Sequence, residues 1–225
     1  MSAHVPNLIV AALILPAVLG SLTLLLLRHR LDASRLVSLG SCLALVGIAA
    51  SLTMHASSGA GGSYALGNWR APFGIVLVLD RLSAMMLLLT SVLALAVMGY
   101  AVVTGADRKG WHFHPLFQFQ LLGLNGAFLT GDLFNLFVFF EVLLIASYGL
   151  LLHGQGAARL KAGVQYVVIN LVGSTLFLVG VGLLYGVTGT LNMADMAVRV
   201  SEASPGDQGL IAAAALVLTV VFALK

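Results

Sequence analysis

An all-α, polytopic transmembrane helix bundle is what this sequence predicts, on three observations. Apolar residues make up 60% of the 225 positions and charged residues only 8%. A water-soluble domain carries about 25% charged residues, so this surface must face lipid; mean hydropathy is +1.06. The apolar runs are continuous and about 20 residues long, the length an α-helix needs to cross hydrocarbon. No run shows the alternation, about ten residues at a time, of barrel strands, and only helices and closed barrels satisfy their own backbones in lipid.

Seven spans are expected. The first, Asn7 to Leu27, ends on Arg28, His29 and Arg30. It is too long for a signal-peptide core and lacks a basic leading flank and a small-residue cleavage site, so it reads as a retained helix. The second runs from Leu36 to Met54. A Gly/Ser-rich loop follows, in which clustered glycines and Pro72 break any helix. Within it "YALGNW" and "GIVLVL" are expected to form a short β-hairpin at the membrane surface. Further spans are expected at Arg81 to Val103, Pro115 to Thr130, Leu133 to Leu152 and Gly163 to Val187. Gly131-Asp132 reads as a tight turn between the fourth and fifth, and residues 188–207 read as a polar loop. The seventh span starts near Gly209 and is still apolar at Lys225. Two readings of that end stand side by side: the natural chain continues, or the helix just reaches the interface and Lys225 snorkels.

Charge placement orients the bundle. Loops after spans one, three and five carry Arg28, Arg30, Arg35, Arg108, Lys109, Arg159 and Lys161; those after spans two, four and six carry only Arg70, Arg81 and Arg199. The positive-inside rule then puts the N-terminus on the extracytoplasmic side of a cell inner membrane. This bias also accounts for the pI of about 9.3 without a nucleic-acid partner. Cys42 stands alone in an apolar run, so no intramolecular disulfide is available.

One residue contradicts its surroundings. Glu141 sits in "NLFVFFEVLLIASYGLLLHG", near mid-membrane if the fifth span is a helix. It reads either as a protonated packing residue or as a proton-binding group, and intramembrane ionisable residues are functional by default. A proton relay needs a cationic partner, and Lys225 is the only lysine at the end of an apolar run. Tyr148, seven residues on, and His153, closing the span, are candidates to extend a polar path; His153 reads equally as an ordinary interfacial residue. On the sixth span Gln165, Asn170, Ser174 and Thr175 supply polar groups, with Asn170 and Ser174 one turn apart and able to line water. Gly182 and Gly186, and Gly173 with Gly180, read as close helix packing. His112 and His114 beside Trp111 read as an interfacial aromatic cluster rather than a metal site, which needs more ligands. No phosphate-binding loop, CxxC or dinucleotide fingerprint is present, which disfavours an ATP-driven pump or a redox-centre protein.

The segments "LTGDLFNLFVFFEVLLIASYGLLLHG", "RLKAGVQYVVINLVGSTLFLVGVGLLYGVTGTLNMADMA" and "APFGIVLVLDRLSAMMLLLT" resemble the D subunit of the Mrp-type multisubunit monovalent cation/proton antiporters, across essentially the whole chain. That protein is similar in turn to the antiporter-like subunits of respiratory complex I and of membrane-bound hydrogenases. The resemblance implies a parent of about fourteen helices with two inverted five-helix repeats, which place the transport site near the midplane. It implies that residues 1–110 hold three leading helices and the extracytoplasmic loop, and that 111–225 hold the first part of the translocating repeat. Glu141 matches the family's fifth-helix glutamate and Lys225 the seventh-helix lysine paired with it. The chain stops at that lysine, so a longer natural chain is expected. The implied function is proton movement through the Glu141–Lys225 pair, coupled to Na+ or K+ export by the proton-motive force. The resemblance implies no cofactor, and it implies the other Mrp subunits as partners, the A and C subunits above all. The alternative is a proton-pumping membrane component of a redox enzyme, in which electron transfer supplies the energy.

Overall fold

The computed structural model describes residues 5–59, 61–69, 72 and 74–225. Arg70, counted above among the loop charges, lies outside the described residues, as do the first four residues and three further positions of the Gly/Ser-rich loop. Among the described residues are eight α-helices and one two-stranded antiparallel sheet.

Helix α1 (Val5–Leu26) leads through a short turn to α2 (Leu31–Ser57). The turn buries Ser34, whose hydroxyl donates to the Leu27 carbonyl. The expected hairpin forms from β1 (Gly62–Ala65) and β2 (Val76–Leu79), with Gly62 opposite Leu79 and Ala65 opposite Val76. It is shorter than the quoted segments because Leu66–Asn68 turns away as a 3-10 turn, with Gly67 at a positive φ of 64°. Helix α3 (Arg81–Thr104) starts on a reciprocal cap. The Ser83 amide donates to the Asp80 carboxylate and the Asp80 amide to the Ser83 hydroxyl, satisfying two donors a helix start leaves open. Gly105 ends it in the left-handed region, φ 67°, where a side chain would be strained.

Helices α4 (Phe113–Leu129) and α5 (Leu133–Leu152) follow. Their connection is not the tight turn expected. Thr130 and Asp132 are extended, and the stretch is stitched to strand-like neighbours on both sides. The Gly131 amide donates to the Val76 carbonyl at 2.8 Å, and the Met193 amide donates to the Gly131 carbonyl at 2.9 Å. Backbone polar groups near a membrane need partners, and here three distant segments supply them to one another. Helix α6 (Ala157–Thr188) is 32 residues long. Residues 188–207, expected as loop, contain helix α7 (Met193–Ser201). Asn192 caps it through the amides of Ala194 and Asp195, and Met196 is buried beneath it; the polar composition had masked an amphipathic period. Helix α8 (Gln208–Leu224) ends at Lys225.

Among the described residues five helices are long and apolar enough to cross a membrane: α1, α2, α3, α5 and α6; α8 is a shorter apolar helix. Two cores result. Ile9, Leu52, Leu79, Leu87 and Leu129 bury one, joining α1, α2, β2, α3 and α4. Phe177, Val181, Ala214, Leu218 and Val221 bury the other, joining α6 and α8 with the phenylalanines of α5. Helix α4 packs against α1 on one side and α5 on the other, so it links the two.

Three expectations about single positions change. Gly182 and Gly186 share a face as read, but nothing in the structure stands within 4 Å of where a Cβ would sit, so they are not a packing face within this chain. Helix α8 lies against Gly180 instead, where a Cβ would meet Leu218 at 2.9 Å. His114 is not interfacial with His112 and Trp111: it is buried, its ring nitrogens 3.0 Å from Ser38 Oγ and 3.3 Å from Asp107 Oδ2. Asp107 is itself buried and receives Arg35 Nε and Nη2 at 2.6 and 2.8 Å. Those Arg35 hydrogen bonds, above all, hold the Asp107 carboxyl below the usual carboxylate range against the opposing effect of burial.

The tightest helix contact is α4 on α5. A Cβ on Gly123 would lie 2.5 Å from Leu143 Cβ and 2.6 Å from its backbone nitrogen, which cannot move aside cheaply. Gly123→Ala should therefore cost about 1–3 kcal/mol as overpacking, read as a lower melting temperature in detergent. Gly182→Ala, added to open space, should melt with the parent protein. Equal melting of both variants would contradict the packing.

Candidate functional site

Glu141 is the ninth of the twenty residues of α5. Asp132 starts this helix by accepting from the Asn135 amide, and the helix stays regular from Leu133 to Leu152. Glu141 therefore projects about 12 Å along the axis from the start, within the apolar length of the helix. Opposite it, α6 presents Ser174, which is buried. Its hydroxyl donates to Glu141 Oε1. Lys225 reaches the same hydroxyl from α8: its Nζ donates to Ser174 Oγ at 2.9 Å and stands 3.8 Å from Glu141 Oε1. Ser174 thus accepts from Lys225 and donates to Glu141, bridging the two side chains.

The lysine reaches this level because α6 has no side chain in its way. A Cβ on Gly173 would fall 3.5 Å from Lys225 Cε and 3.6 Å from its Cγ, so the stem lies on the Gly173 backbone. Gly173 is close to the midpoint of α6. The Lys225 ammonium therefore lies level with the middle of α6. Aromatic rings close the other side. Nζ stands 5.6 Å from the Phe140 ring centre, a face that attracts a cation. Phe140, Phe177 and Phe222 meet edge to face at 6.0 to 6.3 Å. The Lys225 side chain is 10% exposed and that of Glu141 29%, so the carboxylate is the more open end.

The remaining expected residues divide. Asn170 lies one turn from Ser174 and is buried, its amide donating to the Tyr166 carbonyl at 2.8 Å. Tyr166 continues the row by another turn, meets the Tyr148 ring edge to face at 5.5 Å and stands 3.3 Å from the Ser147 hydroxyl. A row of polar side chains thus leads from Ser174 towards the opposite end of α5. His153 is not brought into it. Its Nε2 lies 3.0 Å from the Ala106 carbonyl and its ring beside Phe113, on the connection between α3 and α4. Gln165 and Thr175 are exposed, and Thr175 donates to the Leu171 carbonyl of its own helix. Among the described residues no three His, Cys, Asp or Glu side chains group as a metal centre requires.

Sequence reasoning did not find Ser174 as the bridge, Tyr166 in the row, or the Phe140 face. The spacing of Ser174 and Gly173 within one turn was available, but only the packing of α8 on α6 shows which neighbour uses them. The Arg35–Asp107–His114 group carried no local signal, since Arg35 and Asp107 are 72 residues apart.

Comparisons with known proteins place the chain among relatives. Residues 130–225, which contain Glu141, Ser174 and Lys225, match the family model described as NADH:quinone oxidoreductase/Mrp antiporter, TM. The probable D subunit of a K(+)/H(+) antiporter of Rhizobium meliloti is 59% identical over 164 residues, 73% of this chain and 30% of that protein. The D subunit of the Na(+)/H(+) antiporter of Alkalihalophilus pseudofirmus is 42% identical over 220 residues, 97% of this chain and 44% of that protein. The chain thus spans less than half the length of these relatives. Among solved structures, that of the Mrp complex from Dietzia sp. DQ12-45-1b superposes with a TM-score of 0.85 at 32% identity, over 99% of this chain and 41% of that one. Residues 130–225 thus match the NADH:quinone oxidoreductase/Mrp antiporter transmembrane family, and the chain as a whole is similar to the D subunits of monovalent cation/proton antiporters and to the Mrp complex.

Proposed function

We propose that this chain forms part of the D subunit of a multisubunit monovalent cation/proton antiporter in the cell inner membrane, and that Glu141, Ser174 and Lys225 carry its proton step. The observation that carries the reading is the ammonium–hydroxyl–carboxylate bridge at mid-helix depth. Burying two charges costs more than their attraction commonly returns, so the pair is poorly explained as a stabilising device. It makes sense as a switch. While Glu141 is ionised it holds the ammonium through Ser174. A proton reaching the carboxylate cancels that attraction and frees Lys225 to move its charge onward. The row Asn170, Tyr166 and Tyr148 is the approach by which protons reach the carboxylate, through water between the side chains. Names of relatives that include both sodium and potassium favour a monovalent cation on the other limb of exchange. The A and C subunits are the partners proposed for this surface. The family description also covers NADH:quinone oxidoreductases, but the antiporter names of the relatives favour the antiporter.

In everted vesicles carrying the assembled antiporter, Glu141→Gln should abolish cation-dependent proton movement while the complex still assembles. Glu141→Asp, which still titrates, should retain part of it. Lys225→Ala should lose cation resistance, and Ser174→Ala, which removes both charge-assisted hydrogen bonds of the bridge, each about 1.5–3 kcal/mol, should slow exchange by roughly tenfold or more. Wild-type transport by Glu141→Gln would leave the neutral packing role as the better account.

We further propose that the end carrying Arg28, Arg108, Lys109 and Arg159 faces the cytoplasm, from the excess of basic residues there. With Cys42 replaced, a single cysteine at Ala157 should react with impermeant reagent only in everted vesicles. Labelling from the outside alone would reverse the topology.

A further inference from the structure

We infer that the end of the bundle between the α1–α2 turn and the α3–α4 connection is a binding site for an anionic phospholipid. This rests on the membrane reading of the chain and not on antiport. Two adjoining cavities make up the site. The first, of about 210 Å3, is bordered by Arg28, His29, Arg108, Trp111 and His114, with Asp107 in its wall. The second, of about 490 Å3, shares Gly110 and Trp111 with the first and is bordered by Leu24, Pro115, Leu116, Phe119 and Leu152. The first cavity is basic; the second is apolar along those five side chains and is also lined by Lys109, His112, His153 and Gln155, and the two meet at a tryptophan.

Charge bookkeeping favours an anion in the first cavity. Asp107 is its only carboxylate, and both its oxygens are taken by Arg35. Arg28 and Arg108 have no carboxylate within ion-pair distance among the described residues. Two exposed guanidiniums converging on one cavity present a fork geometry that suits phosphate oxygens. The level is that of a headgroup. Arg28 follows the last turn of α1, and Trp111, 62% exposed, stacks its edge on His29 at 4.6 Å. Tryptophan at a helix end marks the membrane–water interface. The second cavity then runs down from that level between α1, α4 and α5, where its apolar side chains match an acyl chain. Gly149 keeps it narrow at its far wall, where α5 comes against Leu116. A soluble phosphate explains the first cavity but not the second. An apolar segment of a partner protein explains the second but leaves the guanidiniums unmatched. Basic pockets between membrane helices beside an apolar groove are a recognised way to hold anionic headgroups.

The test uses the purified, delipidated protein in zwitterionic detergent. Thermal stability is followed while adding phosphatidylglycerol, phosphatidylcholine with the same acyl chains, or inorganic phosphate. Phosphatidylglycerol should raise the melting temperature at lower concentrations than phosphatidylcholine, and phosphate alone should not substitute. Arg28→Gln and Arg108→Gln should each weaken the phosphatidylglycerol response about fivefold, while Arg81→Gln, at the other end of the bundle, should not. Leu116→Trp, which fills the groove, should weaken the response to both lipids. Equal responses to the two lipids, stabilisation by inorganic phosphate matching that by phosphatidylglycerol, or an unaltered response in the arginine variants would overturn the site. So would a photo-crosslinker at Trp111 in the assembled complex that captures protein and no lipid. None of these readouts depends on cation exchange, so failure here leaves the antiport reading standing.

Discussion

A single hydroxyl holds a carboxylate and an ammonium together inside an apolar bundle, and the surrounding helices are arranged so that it can. Ser174 must face α5 to reach Glu141 and must leave Lys225 a path, which Gly173 provides one residue earlier. Helix α8 has to lie close enough to α6 for a lysine stem to cross the Gly173 backbone, and Gly180 allows that approach two turns away. The Phe140 ring of α5 faces the lysine and packs edge to face on Phe177 of α6, which in turn meets Phe222 of α8. Moving any of these helices by one register step would leave a charge without its partner at a depth where water is scarce.

The end of the bundle nearest the start of α5 secures this register. The extended stretch Thr130–Asp132 is bonded to β2 on one side and to the residues before α7 on the other. Through it the hairpin, the α4–α5 connection and the end of α6 become one backbone assembly. Glu141 lies a little over two turns from that anchor on α5, so its height relative to α6 is fixed by covalent and hydrogen-bonded structure rather than by apolar contacts, which lack direction. At the other end Arg35 and the buried Asp107 and His114 tie α2 to the α3–α4 connection by directional bonds as well.

Much of this was legible in the sequence alone. Apolar run length placed α5 at Leu133–Leu152, and the apolar run beginning at Arg81 marked the start of α3. Glu141 stood out because one acid among phenylalanines and leucines violates composition, and Lys225 because it is the lysine ending an apolar run. What stayed hidden depends on which helix packs on which. Gly182 and Gly186 carried the familiar packing spacing and face open space, while Gly173 and Gly180, seven apart, make the contact. His114 looked interfacial beside Trp111, yet the helix period turns it inward by a residue's rotation to meet Asp107. Helix α7 was missed because it is short and is flanked by Thr, Gly, Ser, Pro and Asp within residues 188–207, although Asn192 gave a start signal.

The central proposal is that Lys225, through Ser174, holds Glu141, and that this mutual hold is what a proton releases. Infrared difference spectroscopy reads it directly, with the Glu141 carboxyl identified by subtraction of Glu141→Gln. At neutral pH the parent protein should show the Glu141 carboxylate band, and Lys225→Met should replace it with the carbonyl stretch of a protonated acid. An unchanged carboxylate band in Lys225→Met would contradict the account, since the charge on Glu141 would then be held by something other than the lysine.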